Sequence, residues 1–349
     1  MKYRLFLIIA TFAALGSTIT SCSWDDELRV APNDGDLKTP ISFNVNIGSL
    51  PDPEIITSSD NTSGGNALAP TRGSAQTDGT SYDFVANDLI TIGIKAPSTS
   101  TTSRSKTTED VKTYRVSSTN TTTHVSSLVY NGGSSTGEFQ WLSTSEQILL
   151  RAWSSGTTSS ATDPATYVTA TPFVLTTDQS SGYNEVLYSP QDTYSYTTAS
   201  GAISIPLYHQ LARVMITITE DGGSTSAKTV TIGDGVMKLP KTATFADPAS
   251  GKFGTWTKTD ATEAVTINPL VEATNTKYSA VLIPGTYAAG GKFINIVISG
   301  ETFSYVIPAG GITLAAGKQY NYDIKVKNRL ITFTVSVTAW DPASKTINF

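Results

Sequence analysis

The chain has 349 residues, a formal net charge of −5 and 15% charged residues, well below the roughly 25% of an average soluble domain. With no basic stripe to meet phosphates, nucleic acid is excluded as a partner. A single cysteine, Cys22, excludes an internal disulfide and leaves no thiol cluster for a structural metal.

The N-terminus reads as an export signal. Lys2 and Arg4 precede a mostly apolar run from Leu5 to Leu15, followed by small and hydroxyl residues up to Ser21. That is the layout of a secretory signal peptide over residues 1–21. The run is shorter than the roughly 20 apolar residues of a bilayer span, and Trp24-Asp25-Asp26-Glu27 follows almost at once. Ile19-Thr20-Ser21-Cys22 resembles a relaxed bacterial lipobox, in which cleavage before the cysteine is followed by attachment of lipid to its sulfur. The alternative is ordinary secretion with cleavage near Ser21 and a free thiol. The acidic stretch after Cys22 resembles the surface-export signal of Bacteroidales lipoproteins, which implies the outer face of the outer membrane.

Beyond the leader the two-residue period of strands is everywhere and the helical period is nearly absent. Ile41-Ser42-Phe43-Asn44-Val45-Asn46-Ile47 alternates throughout, placing four apolar side chains on one face. From Ile47 to Tyr82 the chain is rich in Ser, Asn, Gly, Pro and Thr and is expected to form a long loop. Ile90, Ile92 and Ile94 mark the next strand. Ser98 to Lys106 and Ser154 to Ala165 are expected loops, and Leu128-Val129-Tyr130 with Phe139-Gln140-Trp141 a hairpin closed by the intervening glycines. Val214, Ile216 and Ile218 follow, then Phe293 to Ile298, Phe303 to Ile307, Tyr320 to Val326 and Ile331 to Val337, separated by turn residues. This spacing predicts an all-β chain of antiparallel sandwiches. A boundary near Ser200-Gly201 would divide it into units 73–200 and 201–349.

Candidate chemistry is sparse. Gly133-Ser134-Ser135-Thr136-Gly137 matches the nucleophile-elbow pattern, but that motif works only between a strand and a helix, and here a hairpin turn is expected. His124 lies in a Thr-rich stretch, and His209 lies within an apolar strand pattern, where a hydrogen-bonded structural role is expected. The acidic clusters Asp25-Asp26-Glu27 and Asn33-Asp34-Gly35-Asp36 are leader residues, and Glu109-Asp110 reads as a strand-edge charge pair. No catalytic residue, metal site or cofactor is expected.

Ile205-Pro206-Leu207-Tyr208-His209-Gln210-Leu211-Ala212-Arg213-Val214 resembles a segment of the FimA/Mfa-like fimbrillins, the pilin superfamily of Bacteroidales. "YDFVANDLITIGI", "FVLTTDQSSGYNEVLYSP", "YSAVLIPGTYAAGGKFINIVISG", "LAAGKQYNYDIKV" and "FTVSVTAWDP" follow in that family's order, so with the strand at Ile41 the resemblance covers residues 41–342. It implies two tandem transthyretin-like β-sandwich domains in a non-enzymatic lipoprotein precursor. That precursor would build, anchor or tip a surface fimbria with other fimbrial subunits and support adhesion to a ligand on a host or bacterial surface. It also gives Arg72 a meaning. In polymerising members an Arg- or Lys-specific protease cuts such a loop, which here would separate residues 1–72, with Cys22 and its lipid, from the chain beginning at Gly73.

The strand carrying Ile41, Phe43, Val45 and Ile47 would leave with that leader, and its groove would be refilled by another subunit. Ile331, Phe333, Val335 and Val337 alternate in the same way, so residues 331–349 are the candidate donor. Alternatively, Ile331 to Val337 is simply the last core strand. A fimbrial anchor that keeps its leader, or a surface glycan-binding lipoprotein using Trp141, Trp153, Trp256 or Trp340 as stacking platforms, is the other reading. Tryptophans at strand positions are more often core.

Overall fold

The computed structural model of the chain describes residues 37–47, 84–120, 123–132, 137–154, 172–182, 185–196, 201–220, 228–248, 251–260, 265–327, 330–340 and 347–348. Every named element is a strand, as the two-residue period predicts. Seven strands close into a barrel. Their order is Ile203–His209, Phe43–Ile47, Val125–Tyr130, Asp110–Asn120, Leu89–Lys95, Gln147–Ser154 and Leu187–Ser195, which returns to the first. Ile90, Ile92 and Ile94 fill its interior with Val116, Ile148, Leu150, Ile205 and Leu207. The outward face of Leu89–Lys95 is covered as well, because the Glu109 carboxylate lies over Gly93, where a Cβ would come within 2.4 Å of it.

The remaining strands build a second core. A six-stranded sheet runs Leu270–Ala273, Lys277–Leu282, Ala212–Glu220, Lys318–Lys327, Leu330–Ala339 and Ile347–Asn348. It packs on a three-stranded sheet of Lys228–Ile232, Lys292–Ile298 and Glu301–Val306, with Phe293 and Tyr305 against Tyr322. Two pairings depart from the antiparallel expectation. Phe43–Ile47 is parallel to Ile203–Leu207, and Ala212–Glu220 is parallel to Lys318–Lys327 over most of its length. Neither pair is joined by a hairpin, so the tight-turn constraint that enforces antiparallel pairing is missing.

Two segments belong elsewhere than a break at Ser200-Gly201 suggests. Ile203–His209 closes the first barrel, whereas Phe173, Leu175 and Val186 pack in the second core. The Gln179 side chain explains the second case: its amide nitrogen donates to the Val281 carbonyl at 3.0 Å and its oxygen accepts the Val281 N–H at 2.9 Å, stapling this segment to the six-stranded sheet.

The two cores meet at His209-Gln210-Leu211-Ala212-Arg213, and all five residues are buried. Gln210 is the joint. Its amide nitrogen donates to the Tyr208 and Lys252 carbonyls, its side-chain oxygen accepts the Gly254 N–H, and its carbonyl accepts the Trp256 indole N–H at 2.6 Å. Beside it the His209 Nδ1 lies 2.6 Å from Glu185 Oε1, and the Arg213 guanidinium bonds Glu272 and Gln319. An aromatic contact between Trp153 and Tyr188 of the barrel and Phe245 and Trp256 of the second unit completes the junction.

Burial raises the Glu185 carboxyl above the usual carboxylate range, and the facing His209 offsets part of that rise. The folded chain therefore holds this proton where the unfolded chain has released it. The resulting stabilisation is full below the ordinary carboxylate range and is lost as pH rises through the folded value. In urea unfolding at pH 7, Glu185→Ala is expected to cost about 1–3 kcal/mol, the penalty for leaving the buried His209 Nδ1 without its hydrogen-bond partner. Glu185→Gln should cost less, because its amide oxygen still accepts from the imidazole. Wild type should also be more stable relative to Glu185→Gln at pH 5 than at pH 8, and the reverse trend would contradict this account of the pair.

Candidate functional site

The Phe43–Ile47 strand is the candidate site, since its alternation produces a plug for the barrel. Phe43 is 1% exposed and Val45 fully buried; Ile41 is buried just before them, and Ile47 is half-buried at the far end. Asn44 and Asn46 occupy the other face. On one side five residues pair in parallel with the last barrel strand, from Phe43 opposite Ile203 to Ile47 opposite Leu207. On the other side only Asn44 and Val45 have partners, Ser127 and Ser126.

The last barrel strand depends on this neighbour. The Ile203 N–H donates to the Ser42 carbonyl, so in a parallel ladder Ile205 and Leu207 face the same way and Pro206 faces the opposite side. There, pairing with Leu187–Ser195 involves only Tyr208 and His209. Pro206 thus sits where no ladder donor is required.

An aromatic socket receives Phe43. Its ring meets Tyr114 edge-on at 5.1 Å and Phe139 at 6.3 Å, while Tyr114 and Phe139 stack at 6.0 Å. The Phe139 N–H donates to the Tyr114 hydroxyl at 2.9 Å, and burial pushes that phenol well above its ordinary pKa. Thr39 and Pro40 pair with Trp141 and Gln140, and the Ile41 N–H donates to the Phe139 carbonyl. This corrects the expected hairpin: Leu128–Tyr130 lies within a barrel strand, and Gln140–Trp141 pairs with Thr39–Pro40. The 137–142 stretch is recruited by the core through Phe139 and Trp141 and is held by Arg104, which bonds Glu146 at 2.8 Å and the Gln140 carbonyl at 2.7 Å. The Leu142 N–H donates to the other Glu146 oxygen. A cleft of about 400 Å³ opens beside this entry, walled by Ile41, Ser42, Trp141, Tyr194 and Tyr196.

The other predicted residues fall elsewhere. Cys22, Arg72, Gly73 and Ser135 lie outside the described residues. Ile331, Phe333, Val335 and Val337 sit half-buried on the second core in Leu330–Ala339, and that strand pairs along its whole length with Lys318–Lys327. In this conformation they are therefore core residues of their own unit and are not brought near the groove. His124 adopts a left-handed backbone (φ 57°) at the turn between two barrel strands. Glu109 forms a two-oxygen ion pair with Arg151. Trp141, Trp153 and Trp340 are buried, and the half-buried Trp256 packs on Phe173 and Phe245, so none presents an open ring face of the kind sugars stack on. Among the described residues no group of three or more His, Cys, Asp or Glu could hold a metal ion. The site's chemistry is the recognition of an extended strand by main-chain bonds and alternate side-chain sockets.

Sequence reading missed the socket and the joint. Tyr114 and Phe139 carry no signal because their encounter with Phe43 is long-range. Gln210 lies inside the recognised His-Gln-Leu-Ala-Arg segment, but its role depends on two backbone groups and one indole N–H 42 to 46 residues away.

Among solved structures, a "putative cell adhesion protein" from Bacteroides uniformis aligns over 79% of this chain and 97% of its own, at 16% identity and a TM-score of 0.55. One of the same description from Bacteroides ovatus aligns over 87% and 98%, at 14% identity and a TM-score of 0.56. The tip fimbrial protein Mfa3 from Porphyromonas gingivalis, C-terminally truncated, aligns over 73% and 95% at 11% identity and a TM-score of 0.40. At these identities the first two likenesses bear on the fold alone. Comparison with curated proteins gave no match. A model of the fimbrillin-like family matches residues 71–340, more than half of the sequence, and the chain therefore belongs to the fimbrillin-like family.

Proposed function

We propose that this chain is a structural fimbrial subunit, a stalk or tip pilin supporting adhesion. It is exported as an outer-membrane lipoprotein on Cys22 and assembles by strand exchange after cleavage between Arg72 and Gly73. One observation carries the reading: the strand that fills the barrel groove, Phe43–Ile47, lies at the N-terminal end of the described chain and is separated from the next described strand, Leu89–Lys95, by the segment containing Arg72. A cut there would leave the groove strand attached by non-covalent contacts only. The family match beginning at residue 71 is in keeping with a mature unit that starts near Gly73.

Energetics supply the reason for exchange. Burying Ile41, Phe43 and Val45 is worth about 1.5–3 kcal/mol each, a total comparable to the roughly 5–15 kcal/mol stability of a whole domain. An emptied groove would expose Ile205, Leu207 and the Tyr114–Phe139 socket together with a row of unpaired backbone groups. A strand from a second subunit, drawn from residues 331–349, satisfies both demands through main-chain pairing and alternate side chains. Head-to-tail insertion does not close on itself and therefore grows a filament. The anchor reading, with the leader and lipid retained, differs only in omitting the cut.

The N-terminus and intact mass of the protein taken from the cell surface test this directly. A chain beginning at Gly73 without lipid is expected; one beginning at lipidated Cys22 identifies an uncut anchor. Limited trypsin digestion of the purified precursor should give a ladder of multimers that Arg72→Ala suppresses, and cleavage without multimers would contradict strand exchange. In the uncut chain Phe43→Ala should cost about 3–5 kcal/mol of unfolding free energy. Thr334→Ala, at an exposed position of the C-terminal strand, should stay within about 0.5 kcal/mol.

A further inference from the structure

The barrel is closed unevenly. Leu187–Ser195 and Ile203–His209 are neighbours in the ring, but they pair only where Tyr208 meets Tyr188 and His209 meets Leu187. From there toward residues 194–196 and 201–203, no further pair forms between them among the described residues, and the strands part. Two local causes act together. Pro206 has no N–H to offer the facing edge. On the other strand, Pro190 and Gln191 stand opposite the single residue Arg151, a bulge that bends Leu187–Ser195. The cleft of about 400 Å³ lies in the resulting opening, between residues 194–196 and 201–203, with residues 39–42 and Trp141 completing its lining.

The chemistry of this lining is specific. None of its residues is acidic, basic or a histidine, so it offers nothing to match a phosphate, a carboxylate or a cation. Its polar side chains are the hydroxyls of Thr39, Ser42, Tyr194, Ser195 and Tyr196 and the Trp141 indole. Among the described residues only the Ser195 hydroxyl has a side-chain partner, accepting from the Gln147 amide at 3.4 Å. Trp141 is 4% exposed and meets Tyr196 edge-on at 5.8 Å, and aromatic N–H and O–H groups in such surroundings ordinarily find a partner. Tyr194 and Tyr196 are half-buried, so the ring faces on offer are those of the tyrosines and not of the buried tryptophan. A cleft of this volume with a few convergent polar groups has the form of a small-ligand site. Ring faces beside neutral hydroxyls match a ligand with an apolar C–H face and a hydroxyl rim.

We propose that this cleft binds a neutral hexopyranose, with the rings of Tyr194 and Tyr196 against the sugar's C–H face and the hydroxyls of Thr39, Ser42 and Ser195 at its rim. Because residues 39–42 form part of the lining, the site is complete only while the segment leading into Phe43–Ile47 is in place. A bound sugar therefore favours the chain with that segment seated, by mass action. The inference goes beyond the assembly reading and does not depend on it, since the uncut chain carries the whole site.

Saturation-transfer NMR and calorimetric titration of the full-length, uncut protein with the methyl glycosides of glucose, galactose, mannose and N-acetylglucosamine test it. At least one is expected to bind with a Kd of about 1 mM or tighter, an affinity within reach of so small a ligand. N-acetylneuraminic acid should bind about ten-fold more weakly or not at all, because its carboxylate would be desolvated without a partner. Tyr196→Ala should weaken binding of the neutral sugar about ten-fold. Ser42→Ala, at an exposed position that the fold tolerates, should weaken it about three-fold, and Thr302→Ala, exposed on the second unit, should leave it unchanged. Saturating sugar should also slow amide exchange in 39–42. Absence of binding by every glycoside at about 20 mM, where a 1 mM site would be nearly full, overturns the proposal, as does binding that both cleft variants leave unaltered. The two readings fail separately: multimers after cleavage without sugar binding defeat the sugar site alone, and sugar binding without multimers defeats strand exchange alone.

Discussion

The parallel pairing of Phe43–Ile47 with Ile203–Leu207 is the constraint on which the rest of the barrel depends. It joins chain segments far apart in sequence and closes a curved sheet whose edges would otherwise stay open. It also carries Phe43 and Val45 into the barrel interior. Closure and core filling are thus a single event performed by one short strand, and the last barrel strand has little other pairing to hold it. Such an arrangement concentrates the stability of the first unit in an element near the start of the chain.

The joint at His209 to Arg213 converts that local dependence into a property of the whole molecule. The chain passes from the barrel into the centre of the second sheet through Gln210, with no intervening linker of polar residues. Side-chain bonds to 252, 254 and 256 and the Trp153, Tyr188, Phe245 and Trp256 contact make the joint stiff.

Charge takes part mainly as fixed internal pairs. Arg104 with Glu146 and Arg213 with Glu272 are nearly or fully buried. Buried pairs of this kind contribute little net stability relative to apolar packing, but breaking one is costly. Their role here is to fix the 140–142 stretch beside the groove entry and to orient the joint, which follows from the backbone groups the same side chains bond.

Sequence alone determined the strand content, the alternation that makes Ile41, Phe43, Val45 and Ile47 one apolar face, and the membership signalled by the His-Gln-Leu-Ala-Arg segment. These are local or short-range patterns, and the two-residue period writes them directly into the chain. Tertiary structure alone decided that Ile203–His209 belongs to the barrel, that Phe173 and Leu175 belong to the second core, and that Gln140–Trp141 pairs with Thr39–Pro40 and not with Leu128–Tyr130. It also decided that His209 faces Glu185 and stacks on Trp340. Each of these is a contact between segments distant in sequence, where the free energy lies in shared burial and in satisfying backbone groups, and no spacing in the linear chain records which distant partner will supply them.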